Sequence, residues 1–201
     1  MCDPIILGRY PEPIAKELAP HVQSGDMELI GQRPDYFGMN HYNRLYAAPD
    51  PDRIFGVRDV PPPGEVPRTE MQWRIDPTAM VEQFDDLKQR YGDMPPIYIT
   101  ENGAAFDDQV GPDGLVDDSH RVDFFSGYIN ALLDGIERGH DVRGYFVWSL
   151  MDNFEWAEGY AKKFGIVHVD FDTLKRTPKA SFHHLNRIIG ENGLAEFEPA
   201  R

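Results

Sequence analysis

Cys2 is the only cysteine among 201 residues, so no intrachain disulfide can form and nothing points to an oxidising compartment. No apolar stretch reaches the roughly 20 residues that cross a bilayer, and Met1-Cys2-Asp3-Pro4 lacks the basic start and apolar run of a signal peptide. A cytoplasmic location is the expectation. Basic residues are few: 20 Lys and Arg against 34 Asp and Glu leave a net charge of −14, which repels nucleic-acid backbones and anionic membrane surfaces. Neither is expected as a partner. No Gly-rich phosphate loop opens a helix, and no Gly-x-Ser-x-Gly elbow occurs. The seven histidines lack the spacing of a metal site; His183-His184 fall on an expected helix, where neighbours point about 100° apart. No metal and no cofactor is assigned.

What is present is a globular composition, 41% apolar and 12% aromatic, with 17 prolines and 18 glycines that announce many loops. The length falls short of the ~250 residues typical of a complete (β/α) barrel. Ile5 to Pro11 reads as an extended opening, Asp26 to Gly31 as a short helix, and Asp35 to Asn40 as a strand in which Gly38 suggests close packing. Residues 47–67 read as a long surface loop rich in Pro, Asp and Gly. Asp76-Pro77 then signals a helix start, with Met80, Val81, Phe84, Leu87 and Tyr91 at helical spacing. A buried strand at Ile97–Thr100 leads into a second loop, 104–118, whose acidic Asp113 and Asp117-Asp118 are expected to be solvated. Val122, Phe125, Ile129, Leu132, Leu133 and Ile136 form the apolar face of the next helix, with Gly139 just past its end. Strands at Gly144–Trp148 and Ile166–Phe171 follow. A last helix after Pro178 turns Phe182, Leu185, Ile188 and Ile189 inward and closes at Gly190. Strands alternating with helices at these intervals argue for parallel βα units in one α/β domain over 1–201.

Pro95 to Thr100 is an apolar, β-branched run that ends in Glu101-Asn102-Gly103. Asn-Gly is a turn signal, because both residues tolerate positive φ, so a carboxylate stands at the C-terminal end of a buried strand. That is where (β/α) barrels keep their chemistry. About fifty residues on comes Val147-Trp148-Ser149-Leu150-Met151-Asp152-Asn153-Phe154-Glu155-Trp156, then Gly159-Tyr160-Ala161-Lys162-Lys163-Phe164-Gly165-Ile166. Together with Ile99-Thr100-Glu101-Asn102-Gly103, these segments resemble the C-terminal part of glycoside hydrolase family 1, the β-glucosidases and their relatives. The resemblance runs from Asp3-Pro4 to about His184 in the family's order. It implies a partial (β/α)8 TIM barrel, strands six to eight with their helices, since members are about twice as long.

The resemblance also implies roles. Retaining glycosidases use two carboxyl groups about 5 to 5.5 Å apart, one attacking the anomeric carbon and one protonating the departing oxygen. Glu101 corresponds to the attacking group, Tyr42 to the tyrosine that donates to it and fixes its rotamer, and Asn40 to a polar neighbour in the same pocket. Without the family, Asn40 and Tyr42 read as residues that end a strand. Glu155 would accept from the 4- and 6-hydroxyls of glucose, the Trp156 indole would donate to the 3-hydroxyl, Trp148 would form the platform and Phe164 would close the side. Trp73, in Met71-Gln72-Trp73-Arg74-Ile75, resembles the residue flanking the aglycone site. Relatives that take 6-phosphorylated sugars replace the glutamate before Trp156 by a small hydroxyl residue. Glu155 would repel phosphate and Phe164 stands where those relatives carry Tyr, so unphosphorylated β-glucosides are expected, with β-galactosides or β-fucosides next.

The family's acid/base glutamate lies in an Asn-Glu-Pro motif, which does not occur in this sequence. The resemblance therefore implies a retaining β-glycosidase chain that carries the nucleophile without its acid and is inactive alone. Two of its strands would have open edges, so a complementary N-terminal segment or self-association is expected. The alternative is a non-catalytic sugar-binding or scaffolding remnant.

Overall fold

In the computed structural model, residues 2–53 and 56–194 are described. Pro4 and Pro13 fall in the first turns of α1 (Asp3–Leu7) and α2 (Glu12–Leu18), where their fixed φ suits a helix start and no amide hydrogen is missed. The opening is therefore helical from Asp3, not extended as its apolar run suggested. Gly8 at φ 61° ends α1, and buried Asp3 is tied by Arg90 and the Tyr91 hydroxyl at 2.6 Å. A single 3-10 turn, Ala19–His21, and α3 (Asp26–Ile30) follow.

The chain then lays down β1 (Phe37–Asn40) and an antiparallel hairpin, β2 (Tyr46–Pro49) with β3 (Val57–Val60). All of the hairpin but Tyr46 lies within 47–67, the segment expected to be loop throughout; Ile54 and Phe55 of that segment lie outside the described residues. Its Pro and Gly content hid the pairing, because Pro49 sits at a strand end where its missing N–H costs nothing. Arg74 holds the hairpin from outside by donating to the Val60 and Arg44 carbonyls and lying over the Tyr46 ring.

Helix α4 (Thr78–Tyr91), strand β4 (Ile97–Asn102), helix α5 (Ser119–Glu137) and strand β5 (Val142–Val147) complete two βα crossovers. Asp76 precedes α4 as expected, but its carboxylate accepts from the Thr78 hydroxyl and pairs with Arg44 instead of capping a backbone N–H. The sheet order is β1-β4-β5, all parallel. Side chains alternate along β4: Ile97 and Ile99 are buried under Phe84, Phe125 and Tyr128 of the helices, while Tyr98 and Thr100 face the other way. With Tyr36 and Phe146 they line an open hollow of about 630 Å³.

A short hairpin, β6 (Val167–Val169) with β7 (Arg176–Pro178), lies outside this sheet, so the expected fourth strand is not a further parallel member. Helix α6 (Ala180–Glu191) ends at Asn192, in the left-handed region at φ 49°. Gly190 is still helical, because Asn tolerates that conformation and can take the cap. Leu185 is buried, yet Ile189 is 79% exposed, and Leu133 and Ile136 of α5 are nearly half exposed. All three border a groove of about 790 Å³ beside β5. Among the described residues β1 and β5 each pair only with β4, so each keeps one bare edge, and no helix is long and apolar enough to cross a membrane.

His41, at the end of β1, shows how burial couples to pH. Its Nδ1 meets Gln83 at 3.2 Å and its Nε2 is buried without a partner. Burial lowers its pKa from 6.5, against smaller opposing effects of the Gln83 hydrogen bond and the Asp76 charge. A depressed folded pKa contributes stability above the unfolded value that is lost as pH falls through the folded one. Urea unfolding should therefore show stability declining below about pH 6.5, and His41→Gln should flatten that part of the decline.

Candidate active site

The C-terminal ends of the three parallel strands converge on one carboxylate. Glu101 is the next-to-last residue of β4, and just past β1 the Tyr42 hydroxyl donates to its Oε2 at 2.6 Å. Tyr42 is itself held by two rings: Trp73 at 5.1 Å between centroids and Phe164 at 6.4 Å, with Trp73 and Phe164 5.9 Å apart. Phe164 is buried. Burial pushes the Tyr42 hydroxyl far above its ordinary pKa, and the bond to Glu101 and the charges of Glu101 and Glu155 push the same way. It thus remains a donor across any working pH, which suits a group that must stabilise an anion.

Beyond β5 the backbone turns sharply. The Trp148–Ser149 peptide bond is cis, the Trp148 N–H donates to the Asn102 carbonyl, and the indole Nε1 donates to Glu155 Oε1 at 3.1 Å. Glu155 is 7% exposed. Burial raises its pKa; donors on Trp148 and Asn153 partly offset this, and the Glu101 and Asp152 charges add to it. Glu155 therefore lies within reach of the Glu101 charge. Six of the expected residues, Tyr42, Trp73, Glu101, Trp148, Glu155 and Phe164, are thereby linked around one site.

Two expected residues stand apart. Asn40 is exposed and accepts from the Thr100 hydroxyl at 2.7 Å, with no direct bond to Glu101. Trp156 is 85% exposed at φ 50°, so its indole points to solvent. Lys162 donates to the Glu70 carbonyl and lies 3.6 Å from its carboxylate. Among the described residues no three His, Cys, Asp or Glu side chains are placed to hold a metal.

Beneath the site runs a buried charge network absent from the expectations. Lys179, 0% exposed, reaches Asp108 at 2.5 Å and Asp152 at 2.9 Å, and Arg121, also 0% exposed, pairs with Asp108 and Asp118. Asp118 is therefore not solvated as expected: it is buried, and it also accepts from the backbone and hydroxyl of Ser181 at the start of α6. Arg121 further donates to the carbonyls of Ala104 and Lys163, and Asp152 accepts from Gly165 N–H. The network thus ties the segment after Glu101 to the segments carrying Glu155 and Phe164. One sequence signal existed: Arg121 lies four residues before Phe125, on the apolar face of α5, where an unpaired cation is not tolerated.

The model of the family described as glycosyl hydrolase family 1 matches residues 1–194. The chain belongs to glycosyl hydrolase family 1. Beta-glucosidase A of Thermotoga maritima is 42% identical over 197 residues, spanning 96% of this chain and 44% of that protein. A bifunctional beta-D-glucosidase/beta-D-fucosidase of Bifidobacterium breve is 39% identical over 210 residues, 94% of this chain and 45% of that protein. The solved structure of the Thermotoga maritima β-glucosidase in complex with glucoimidazole superposes with a TM-score of 0.86 at 40% identity, over 96% of this chain and 43% of that one. This family 1 chain therefore spans less than half the length of the curated relatives it matches, and its three parallel strands are part of a TIM barrel. The relatives quoted are named as β-glucosidases or as a bifunctional glucosidase/fucosidase.

Proposed function

We propose that this chain is the nucleophile-bearing part of a retaining β-glycosidase acting on terminal β-D-glucosyl residues. Glu101 attacks the anomeric carbon, the bond to the aglycone oxygen breaks, and a glycosyl ester forms on the carboxylate. Water then cleaves that ester with inversion and regenerates Glu101, so two inversions retain the configuration. Tyr42 orients Glu101. Glu155 accepts from sugar hydroxyls, Trp148 offers an apolar face and holds Glu155, and Phe164 and Trp73 wall the pocket. Asn40 and Trp156 bind sugar once the remaining wall is in place. The observation that carries this reading is the 2.6 Å Tyr42–Glu101 bond beside a buried second carboxylate that feels the Glu101 charge. A fucosidase activity in the name of one relative supports tolerance at the sugar's C4 and C6 positions, where D-fucose differs from D-glucose.

The acid that protonates the departing oxygen comes from a complementary N-terminal barrel segment, which also covers the bare edges of β1 and β5. Without that acid the first step loses a factor of ~10² to 10⁴. The purified chain should therefore hydrolyse a nitrophenyl β-glucoside negligibly, and mixing it with a segment supplying the first five strands should raise turnover by at least about 10²-fold. Ordinary turnover by the chain alone would show the account of the missing acid to be wrong.

A further inference from the structure

Between β4 and its two neighbours the backbone ladder is irregular near the site. The register shifts between Met39 and Asn40 on the β1 side and between Ile99 and Asn102 on the β5 side. At that level a side chain takes over. Asn102 is 0% exposed; its Nδ2 donates to the His41 carbonyl at 2.6 Å, and its Oδ1 accepts from the Tyr145 hydroxyl at 2.6 Å. One carboxamide thus spans the ends of all three strands, donor to one and acceptor to the other, with both its polar atoms satisfied. The residue before it is Glu101, and the residue after His41 is Tyr42. The His41 N–H closes the loop on the Glu101 carbonyl at 2.9 Å.

We propose that Asn102 is a positioning residue for the Tyr42–Glu101 pair, its carboxamide clamping the ends of β1 and β5 to β4 so that the Tyr42 hydroxyl is set against the Glu101 carboxylate. This rests on Glu101 being the attacking group. Asn102 touches no reacting atom. Its effect passes through the one covalent step from His41 to Tyr42 and the one from Asn102 to Glu101, and a backbone shift below 1 Å at either place is enough to spoil an oxygen–oxygen contact of this length. Tyr145 is the second half of the clamp: the His41 carbonyl, which can only accept, holds the carboxamide nitrogen toward β1, and the Tyr145 hydroxyl donates to the oxygen left facing β5.

Tyrosine nitration in the full 201-residue chain reads the clamp directly, because tetranitromethane attacks the phenolate and a hydroxyl donated to a carboxylate is protected. In Asn102→Ala the nitration rate of Tyr42, followed by peptide mass spectrometry, should rise about tenfold, equivalent to tenfold more phenolate, while Tyr128 in the core and Tyr91 near the N-terminus keep their rates. Tyr145→Phe, which removes one of the two bonds, should give a smaller rise at Tyr42 alone. An unchanged Tyr42 rate in Asn102→Ala overturns the proposal, as does a rise shared with Tyr128, which marks general loosening. The two ideas fail separately: absence of a glycosyl adduct on wild-type Glu101 strikes the nucleophile, and unchanged nitration of Tyr42 strikes the clamp.

Discussion

Lys179→Met is expected to cost about 3 to 5 kcal/mol of stability, the range for removing one partner from a buried ion pair. The ammonium group is fully buried and is shared by two carboxylates, whose fates differ once it is gone. Asp108 keeps Arg121 at 2.8 Å. Asp152, 4% exposed, keeps the backbone donors of Gly165 and Val169 and the His168 ring at 3.4 Å, so most of the penalty is that of a buried carboxylate left without its close cation. Adding Asp152→Asn should therefore recover part of the loss, a coupling that thermal or urea unfolding of the two single variants and the double variant measures. Equal losses that simply add would show that Lys179 and Asp152 do not stabilise one another. Arg138, half exposed beside an equally exposed Asp134, is the control: its removal should leave the unfolding curve nearly unchanged.

The second large effect is steric. A Cβ on Gly103 would lie 1.8 Å from the Trp148 carbonyl oxygen and 2.9 Å from its carbon. Both are backbone atoms, and the Trp148 N–H is already engaged by the Asn102 carbonyl, so no side-chain rotation can relieve the clash. Gly103→Ala must push β4 and β5 apart where Glu101 and Trp148 leave the sheet. The expected loss exceeds the ~1 to 3 kcal/mol of ordinary overpacking, with the Tyr42–Glu101–Glu155 arrangement disturbed in whatever remains folded. Gly190→Ala offers the contrast. Nothing lies within 4 Å of its added Cβ and its φ is not positive, so alanine should be neutral or stabilising by up to about 1 kcal/mol. A melting curve for Gly103→Ala that overlays the wild type would contradict the close approach.

Gly103 also shows what a sequence can and cannot disclose. Asn-Gly was a sound signal that something special follows Glu101, but the reason attached to it, a turn needing positive φ, was the wrong one. The strand continues through Asn102, neither residue has positive φ, and glycine is required because another strand's carbonyl occupies the space of its side chain. Local patterns encode local geometry, so α4, α5 and the three parallel strands were legible from apolar spacing and their helix and strand boundaries. The pairing of Asp108 with Lys179, 71 residues apart, has no local trace. Nor has the clamp at Asn102, whose partners lie 61 and 43 residues away. The short helix at Asp3–Leu7 was missed for a related reason: its hold comes from Arg90 and Tyr91, far along the chain, rather than from its five residues.

The candidate site was legible to the extent that its residues sit in contiguous motifs at strand ends. Glu101, Trp148 and Glu155 fall in two such segments, and Tyr42 directly follows a third strand. Trp156 and Asn40 were named with them, yet one is 85% exposed and the other is bonded to Thr100. Neither was separable from the others by sequence, because motif position says nothing about exposure; Tyr98, Thr100 and Phe146 line an open hollow that contains neither of them. Leu133, Ile136 and Ile189 border a separate groove beside β5 and are also exposed, each an aliphatic side chain whose full burial is worth about 1.5 to 3 kcal/mol.

The most direct test of the central claim, that Glu101 is the attacking carboxylate, uses an activated 2-fluoro-β-glucosyl fluoride, whose leaving group needs no acid. The chain, assembled with a segment supplying the first five strands, is incubated with this reagent, digested and analysed by mass spectrometry. The account predicts one glycosyl adduct, on the peptide containing Glu101, that disappears in Glu101→Gln. An adduct on Glu155 instead, or none on an assembled protein that binds the sugar, would contradict it.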